Sequence, residues 1–285
     1  MRFTKAHAYG NDFLYVRKDA IGDVRPAGHG EPDGMAALAR ELCDRHTGIG
    51  ADGLVVFDPT PDGASMRLLN ADGSRAEVSG NGVRGLGAIL MRQRAAPDSA
   101  VDGITIHTEA GSKRLIRIGG EASNGTRQMF RTAMGLPRDL RQTQITSGGE
   151  TLRIAVMDFG NPQAVLLGPL PDRERFARLG STLEHHQMFP AGTNIEFAQV
   201  EGPHAVRILI WERGVGPTFS SGTGSCAALV AAAAFGGASR EADVIAPGGP
   251  QRVEWHDDNV YLTGWAEILF DGEWRRPLDI ARGRR

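Results

Sequence analysis

Residues 207–237 read RILIWERGVGPTFSSGTGSCAALVAAAAFGG. Ile208 and Ile210, with Leu209 and Trp211 between them, form a short apolar run suited to a buried strand. Charge arrives abruptly at Glu212-Arg213, and a loop punctuated by Gly214, Gly216 and Pro217 leads to Ser221-Gly222-Thr223-Gly224. From Ser225 to Phe235 the chain is nearly all alanine and other apolar residues, which favours a helix, and Gly236-Gly237 supplies the stop. The reading is strand, polar loop, buried helix. A helix start presents free backbone N–H groups and the positive end of the helix dipole, which suits a carboxylate.

The same pattern occurs earlier. Residues 67–91 read RLLNADGSRAEVSGNGVRGLGAILM, with a strand over Met66–Leu69, polar Asn70, then Ser79-Gly80-Asn81-Gly82 and a helix from about Val83. Glu212 and Asn70 are 212 − 70 = 142 positions apart, and Ser221 and Ser79 are 221 − 79 = 142 apart. Gly50 with Gly192 and Asp52 with Asn194 keep the same offset of 142. A constant offset argues for duplication of a whole unit. Two matching helix starts facing each other would build one site between the halves, where ligand pockets concentrate.

Outward from these copies, strands outnumber helices. Arg2–Ala8 and Leu14–Arg17 read as strands around a polar turn, Asp23–Asp33 as loop, and Met35–Cys43 as a helix. Leu54–Phe57, Arg127–Met134, Leu152–Met157, Ile195–Val200, Val244–Glu254 and Val260–Phe270 read as strands, and Asp172–Leu179 as a short helix. Thr105–Thr108 and Lys113–Ile118 suit a hairpin. The expected fold class is α+β: two pseudo-symmetric domains, each a curved, mostly antiparallel sheet around a central helix. The polar segment Glu121–Thr126 is the expected boundary, giving residues 1–125 with the C-terminal strand 265–285 as one half and 126–264 as the other.

Composition narrows the function classes. Lys+Arg number 32 against Asp+Glu 34, with no basic excess to attract nucleic acid or a membrane surface. The arginines at 282, 284 and 285 read as a solvated tail. Cys43 and Cys226 alone provide no disulfide framework. Met1–Val16 lacks the apolar core of a signal peptide, and the apolar run Cys226–Phe235 is far shorter than the roughly 20 residues of a membrane span. The expectation is a cytoplasmic protein. Nothing near His46 has metal-ligand spacing, so no metal is expected.

Taken in order, Gly10-Asn11-Asp12-Phe13, the run Asp44–Gly53, Asn70–Ser74, Gly80-Asn81-Gly82-Val83-Arg84, Gly160-Asn161-Pro162, Gly192-Thr193-Asn194, Glu212–Gly216 and Gly222-Thr223-Gly224 form a specific signature. On these segments the chain resembles the diaminopimelate epimerases, cofactor-independent isomerases of two mirror-related α/β halves. The resemblance implies conversion of LL- to meso-diaminopimelate, in lysine and cell-wall biosynthesis, without pyridoxal phosphate or metal. It implies a small amino-acid ligand and leaves a homodimer open. Family members use two cysteines facing each other across the substrate α-carbon, directly before Gly-Asn-Gly and Gly-Thr-Gly. Here those positions are Ser79 and Ser221, and the histidine usual after Gly-Asn-Pro is replaced by Gln163.

The exchange of thiol for hydroxyl is large in energy. Cysteine ionises near 8.5, whereas bulk water's value of about 15.7, a stand-in for an aliphatic hydroxyl, is ~7 units higher. At about 1.36 kcal/mol per unit the lost basicity is roughly 10 kcal/mol. A buried Glu212 with a raised pKa would be a legitimate base, and a salt bridge to Arg213 is its alternative. Ser79 and Ser221 are also good helix N-caps.

The resemblance further implies that Asn11, Asn70, Asn161 and Asn194 hold the ligand's carboxylates and amino groups. It makes Arg213 a carboxylate clamp and the N–H groups of Gly80-Asn81 and Gly222-Thr223 an α-carboxylate cradle. Asparagines in loops are otherwise turn formers. Cys43 and Cys226 read as core packers. The activities open to such a site are the epimerase reaction, a hydro-lyase or other isomerase reaction on a related acid, or ligand binding without catalysis.

Overall fold

The computed structural model describes residues 1–21, 31–76, 79–93, 103–119 and 126–275. The chain opens with β1 (Arg2–Ala8), β2 (Asn11–Arg17), a single turn α1 (Lys18–Ile21) and α2 (Glu31–Cys43). β3 (Gly53–Thr60), β4 (Gly63–Asn70), β5 (Arg75–Ala76), α3 (Gly80–Gln93), β6 (Gly103–Thr108) and β7 (Gly111–Ile118) follow. Next come β8 (Arg127–Ala133), β9 (Arg138–Ser147), β10 (Glu150–Asp158), β11 (Pro162–Leu167), α4 (Arg173–Glu184), β12 (Asn194–Gly202) and β13 (Ala205–Glu212). The described chain ends with β14 (Gly216–Thr218), α5 (Gly222–Phe235), β15 (Glu241–Ala246), β16 (Gly249–Trp255) and β17 (Val260–Glu273).

The architecture is the expected α+β arrangement of mostly antiparallel sheet wrapped around two central helices. Parallel pairing occurs between β2 and β3, β4 and β6, β11 and β12, and β13 and β15. The 14-residue β17 ties the sheet together, pairing with β1, β8 and β16. The duplication holds at element level. β4 spans 63–70 and β13 spans 205–212; α3 spans 80–93 and α5 spans 222–235, each pair offset by 142.

Each central helix has its own core. Around α3 gather Val55, Phe57, Leu86, Ile89, Ile106, Phe130 and their neighbours. Around α5 gather Met157, Ile208, Ile210, Leu229, Val244 and Leu262. Cys226 to Ala232 are wholly buried, so α5 meets apolar sheet on every side, as a helix without a polar face must. In α3 a close approach takes the place of side-chain filling. A Cβ on Gly85 would lie 2.0 Å from the Tyr15 hydroxyl, which donates to the carbonyl of Gly82 at 3.0 Å.

Besides α1, β5 and β11, which have no counterpart in the sequence reading, the structure departs from it in five places. α3 begins at Gly80 rather than near Val83, because Ser79 caps it and draws the glycines into the first turn. Glu31–Asp33, read as loop, belong to α2. β9 was not expected: it is largely exposed and carries no apolar alternation. β14 is a three-residue strand inside the glycine-rich loop. The single strand expected over Val244–Glu254 is a hairpin, β15 and β16, turning at Pro247-Gly248. There a Cβ on Gly248 would lie 2.2 Å from the carbonyl oxygen of Tyr9, and Gly248 N–H donates to Phe219 O. The rest of the expected Asp23–Asp33 loop, the boundary at 121–125 and the arginine tail lie outside the described residues. Among the described residues no helix is long and apolar enough to cross a membrane.

Candidate active site

The duplicated helix starts meet. A Cβ on Gly80 would lie 3.8 Å from Gly222 Cα, and one on Gly222 would lie 3.9 Å from Gly80 Cα. The two backbones thus lie in van der Waals range of each other. Ser79 and Ser221 cap the two helices equivalently. Ser79 Oγ accepts from Gly82 N–H and Ser221 Oγ accepts from Gly224 N–H, each at 3.2 Å. A hydroxyl that accepts in this way keeps its own proton to donate. Asn81 bridges the loops, donating to Asn11 Oδ1 at 3.2 Å and to the carbonyl of Ser220 at 3.5 Å.

Behind the meeting point lies a network invisible to the sequence reading. Arg84, 1% exposed, donates to Asn81 Oδ1 at 2.5 Å and Gln251 Oε1 at 3.1 Å and lies against the Tyr9 ring. Burial lowers its pKa, and neighbouring Tyr9 opposes that. Gln251 in turn donates to the hydroxyls of Ser220 and Ser225. These bonds tie α3 to the start of α5.

On the α5 side the strand order β11, β12, β13 brings acids and amides together. Gln163 pairs with Asn194, and Ile195 pairs with Trp211, so Asn194 comes level with Glu212. Glu212 is half-buried, and the Ser221 hydroxyl lies close enough to bear on its titration. Burial pushes its carboxyl up to about 7, the Ser221 hydroxyl offsets part of this, and Asp52 adds to it. The alternative salt bridge to Arg213 does not form: exposed Arg213 donates to Ala191 O at 3.2 Å. Glu196, wholly buried, has neither carboxyl oxygen hydrogen-bonded. Burial lifts it well above the carboxylate range, and Glu212 lifts it further. Its signal in the sequence is an acid between Ile195 and Phe197 in a buried strand.

The four asparagines divide. Asn161 accepts from Gln163 Nε2 at 2.8 Å and faces Thr223 Oγ1 at 3.4 Å, so it sits beside the start of α5. Asn194 accepts from Arg213 N–H and donates to Pro162 O, fixing the two loops. Asn11 donates to Asp52 Oδ2 at 2.7 Å and accepts from Asn81. Asn70 is a turn former, its amide donating to Ser74 Oγ at 3.0 Å and its N–H to Ser74 O. Nearby, Arg45 bonds both Asp12 and Asp52, and Lys5 pairs with Asp12 at 2.9 Å. Burial would raise the Asp12 pKa, but Arg45 and Lys5 outweigh it and hold it low. Cys43 and Cys226 are buried in the cores. A surface recess at the β15–β16 hairpin, lined by Ser239, Arg240 and Trp255, shares no residue with this constellation.

A family model described as diaminopimelate epimerase matches residues 3–132 and 155–269. A diaminopimelate epimerase of Desulforudis audaxviator is 39% identical over 97% of this chain and 100% of its own. The chloroplastic diaminopimelate epimerase of Oryza sativa subsp. japonica is 34% identical over 95% of this chain and 79% of its own. Among solved structures, a probable proline racemase from Agrobacterium radiobacter K84 superposes with a TM-score of 0.68 at 18% identity, covering 98% of this chain and 94% of that one. A putative phenazine biosynthesis protein of the PhzC/PhzF type from Clostridium difficile gives 0.63 at 12% identity, over 97% and 100%. The last two likenesses concern the fold alone, whereas the first three span nearly the whole sequence: the chain belongs to the diaminopimelate epimerase family.

Proposed function

We propose that the protein is an isomerase that makes and breaks the Cα–H bond of diaminopimelate or a close amino-acid relative, as its family's epimerases do. The observation carrying this reading is the contact of two serine-capped helix starts through Gly80 and Gly222. The first turns of both helices lie at this contact, and each dipole stabilises an anion by up to ~2 kcal/mol in a partly buried setting. An α-carboxylate held there puts Cα between Ser79 and Ser221. As the proton leaves, charge grows on the carboxylate oxygens, where the N–H groups already stand.

Serine alone is too weak a base, but Ser221 does not act alone. Its hydroxyl lies beside Glu212, whose carboxyl burial pushes up to about 7. If Ser221 passes its proton to Glu212 while taking the one from Cα, the effective base is the carboxylate and no free alkoxide forms. In this reading Asn161 and Asn194 with Arg213 hold the ligand on the α5 side, Asn11 and Asn81 hold it on the α3 side, and Asn70 shapes the adjoining turn.

The test is incubation with LL-diaminopimelate in deuterium oxide, following the α-proton by NMR. Loss of the α-proton signal that is abolished in Glu212→Gln is the expected result. Release of an unsaturated or keto product would favour the hydro-lyase reading, and binding with no exchange would leave a binder.

A further inference from the structure

Gly80 and Gly222 touch through backbone, with no side chain of their own to hold the contact. The polar groups behind it centre on the Arg84 guanidinium, buried on the opening turns of α3. That guanidinium is caged. Its Cζ lies 5.7 Å from the centroid of the Tyr9 ring, and a Cβ on Gly264 of β17 would lie 3.3 Å from the same atom. From this position Arg84 donates to Asn81 Oδ1 on its own helix and to Gln251 Oε1 on β16.

Those two bonds decide which way each amide faces. An amide carries an acceptor oxygen on one side and two N–H donors on the other, whereas a guanidinium has donors only. Each amide must therefore turn its oxygen to Arg84. Asn81 then presents its NH2 group to Asn11 Oδ1 and to the carbonyl of Ser220. Gln251 presents its own to the hydroxyls of Ser220 at 3.1 Å and Ser225 at 3.2 Å. The two amides meet on Ser220, the residue before Ser221, and Ser225 Oγ donates to Ser221 O at 2.7 Å. Ser221 is thus bracketed by residues whose polar atoms answer to one buried cation.

We propose that Arg84 is a positioning residue for the reaction: its guanidinium orients Asn81 and Gln251 and so locks the start of α5 onto the start of α3. The link to catalysis rests on the function proposed above, whereas the lock is a property of the ligand-free protein. Its weight in the reaction follows from geometry, since misplacing a reacting group by about 1 Å can cost roughly a hundredfold in rate.

The experiment compares the full chain with Arg84→Met and Arg84→Lys. Methionine fills the space with an unbranched apolar chain, and exchanging a buried charge for such a chain is often tolerated where only packing matters. Lysine keeps a charged group with donors and no acceptor, so each amide must still turn its oxygen to it. The ligand-free proteins are read by amide hydrogen exchange with mass spectrometry over residues 80–84 and 222–226, with α4 as internal reference. Arg84→Met should lose protection at the start of α5 by at least about tenfold relative to α4, as losing a hydrogen bond from a charged group implies. Arg84→Lys should regain most of it. With saturating LL-diaminopimelate in deuterium oxide, α-proton exchange should fall at least about tenfold in Arg84→Met and recover in Arg84→Lys. A packing role gives the opposite order, methionine tolerated and lysine not, and that order overturns the inference. Undiminished protection of α5 in Arg84→Met overturns it too. Gln251→Leu cuts the relay from the other end and should loosen the start of α5 while the start of α3 stays protected; an α5 start as protected as in the wild type counts against the lock. If the wild type exchanges no α-proton, the proposed function fails, and the protection measurements still decide this inference.

Discussion

Replacing Glu212 with glutamine should make the ligand-free protein more stable, by an amount that depends on pH. Glu212 titrates at about 7 against an ordinary 4.5, chiefly because it is buried. An acid whose folded pKa is raised loses its proton first in the unfolded chain. Between pH 4.5 and 7 the unfolded state therefore binds fewer protons, and folding stability falls as pH rises. The stability tied to the protonated form is whole below 4.5 and is lost as pH passes 7. The gap of 7 − 4.5 = 2.5 pH units, at roughly 1.36 kcal/mol per unit, is worth about 3 kcal/mol. Glutamine cannot ionise and still offers Ser221 an acceptor. Glu212→Gln should thus match the wild type near pH 4.5 and exceed it by about 3 kcal/mol at pH 8, while losing isotope exchange. Urea unfolding of both proteins at several pH values reads the difference directly, and the titrations not coupled to Glu212 cancel in it. A difference that stays flat across this range, or a variant that is weaker at pH 8, would refute a buried, proton-holding Glu212.

Ser221→Cys should raise exchange, since a thiol ionising near 8.5 is a far stronger base than an aliphatic hydroxyl; the isotope assay on this variant decides this. Gly224→Ala would set a Cβ 2.5 Å from Glu196 Oε1 and should cost about 1–3 kcal/mol in a denaturant titration, with exchange reduced by displacement of the α5 start. Burial pushes both the Cys43 and the Cys226 thiol up to about 12, so neither should react with a disulfide reagent at pH 8 until the protein is unfolded, when both should.

The sequence carried the fold where covalent repetition wrote it twice. The offset of 142 locates β4 against β13 and α3 against α5 because each copy must bury the same kind of helix under the same kind of strand. Where sheet is exposed, as in β9, side chains face water and leave no period to read. Where a strand is cut by one close backbone contact, as at Gly248, the partner is Tyr9, far away in sequence. The candidate site divides in the same way. Its symmetric part is backbone and caps: Ser79 and Ser221, Gly80 and Gly222, two sets of N–H groups, all visible as a repeated string. Its asymmetric part is side chains whose meaning depends on neighbours. That Asn70 answers Glu212 can be counted from the sequence, but not that Asn70 closes its own turn while burial raises the Glu212 carboxyl. Arg84 lay in plain sight within Gly80–Arg84, and only the fold shows it buried beside Gln251 and tying one helix start to the other. A duplicated scaffold fixes where an anion sits. The differences between the copies set what stands in each matching place: Glu212 in one copy and Asn70 in the other.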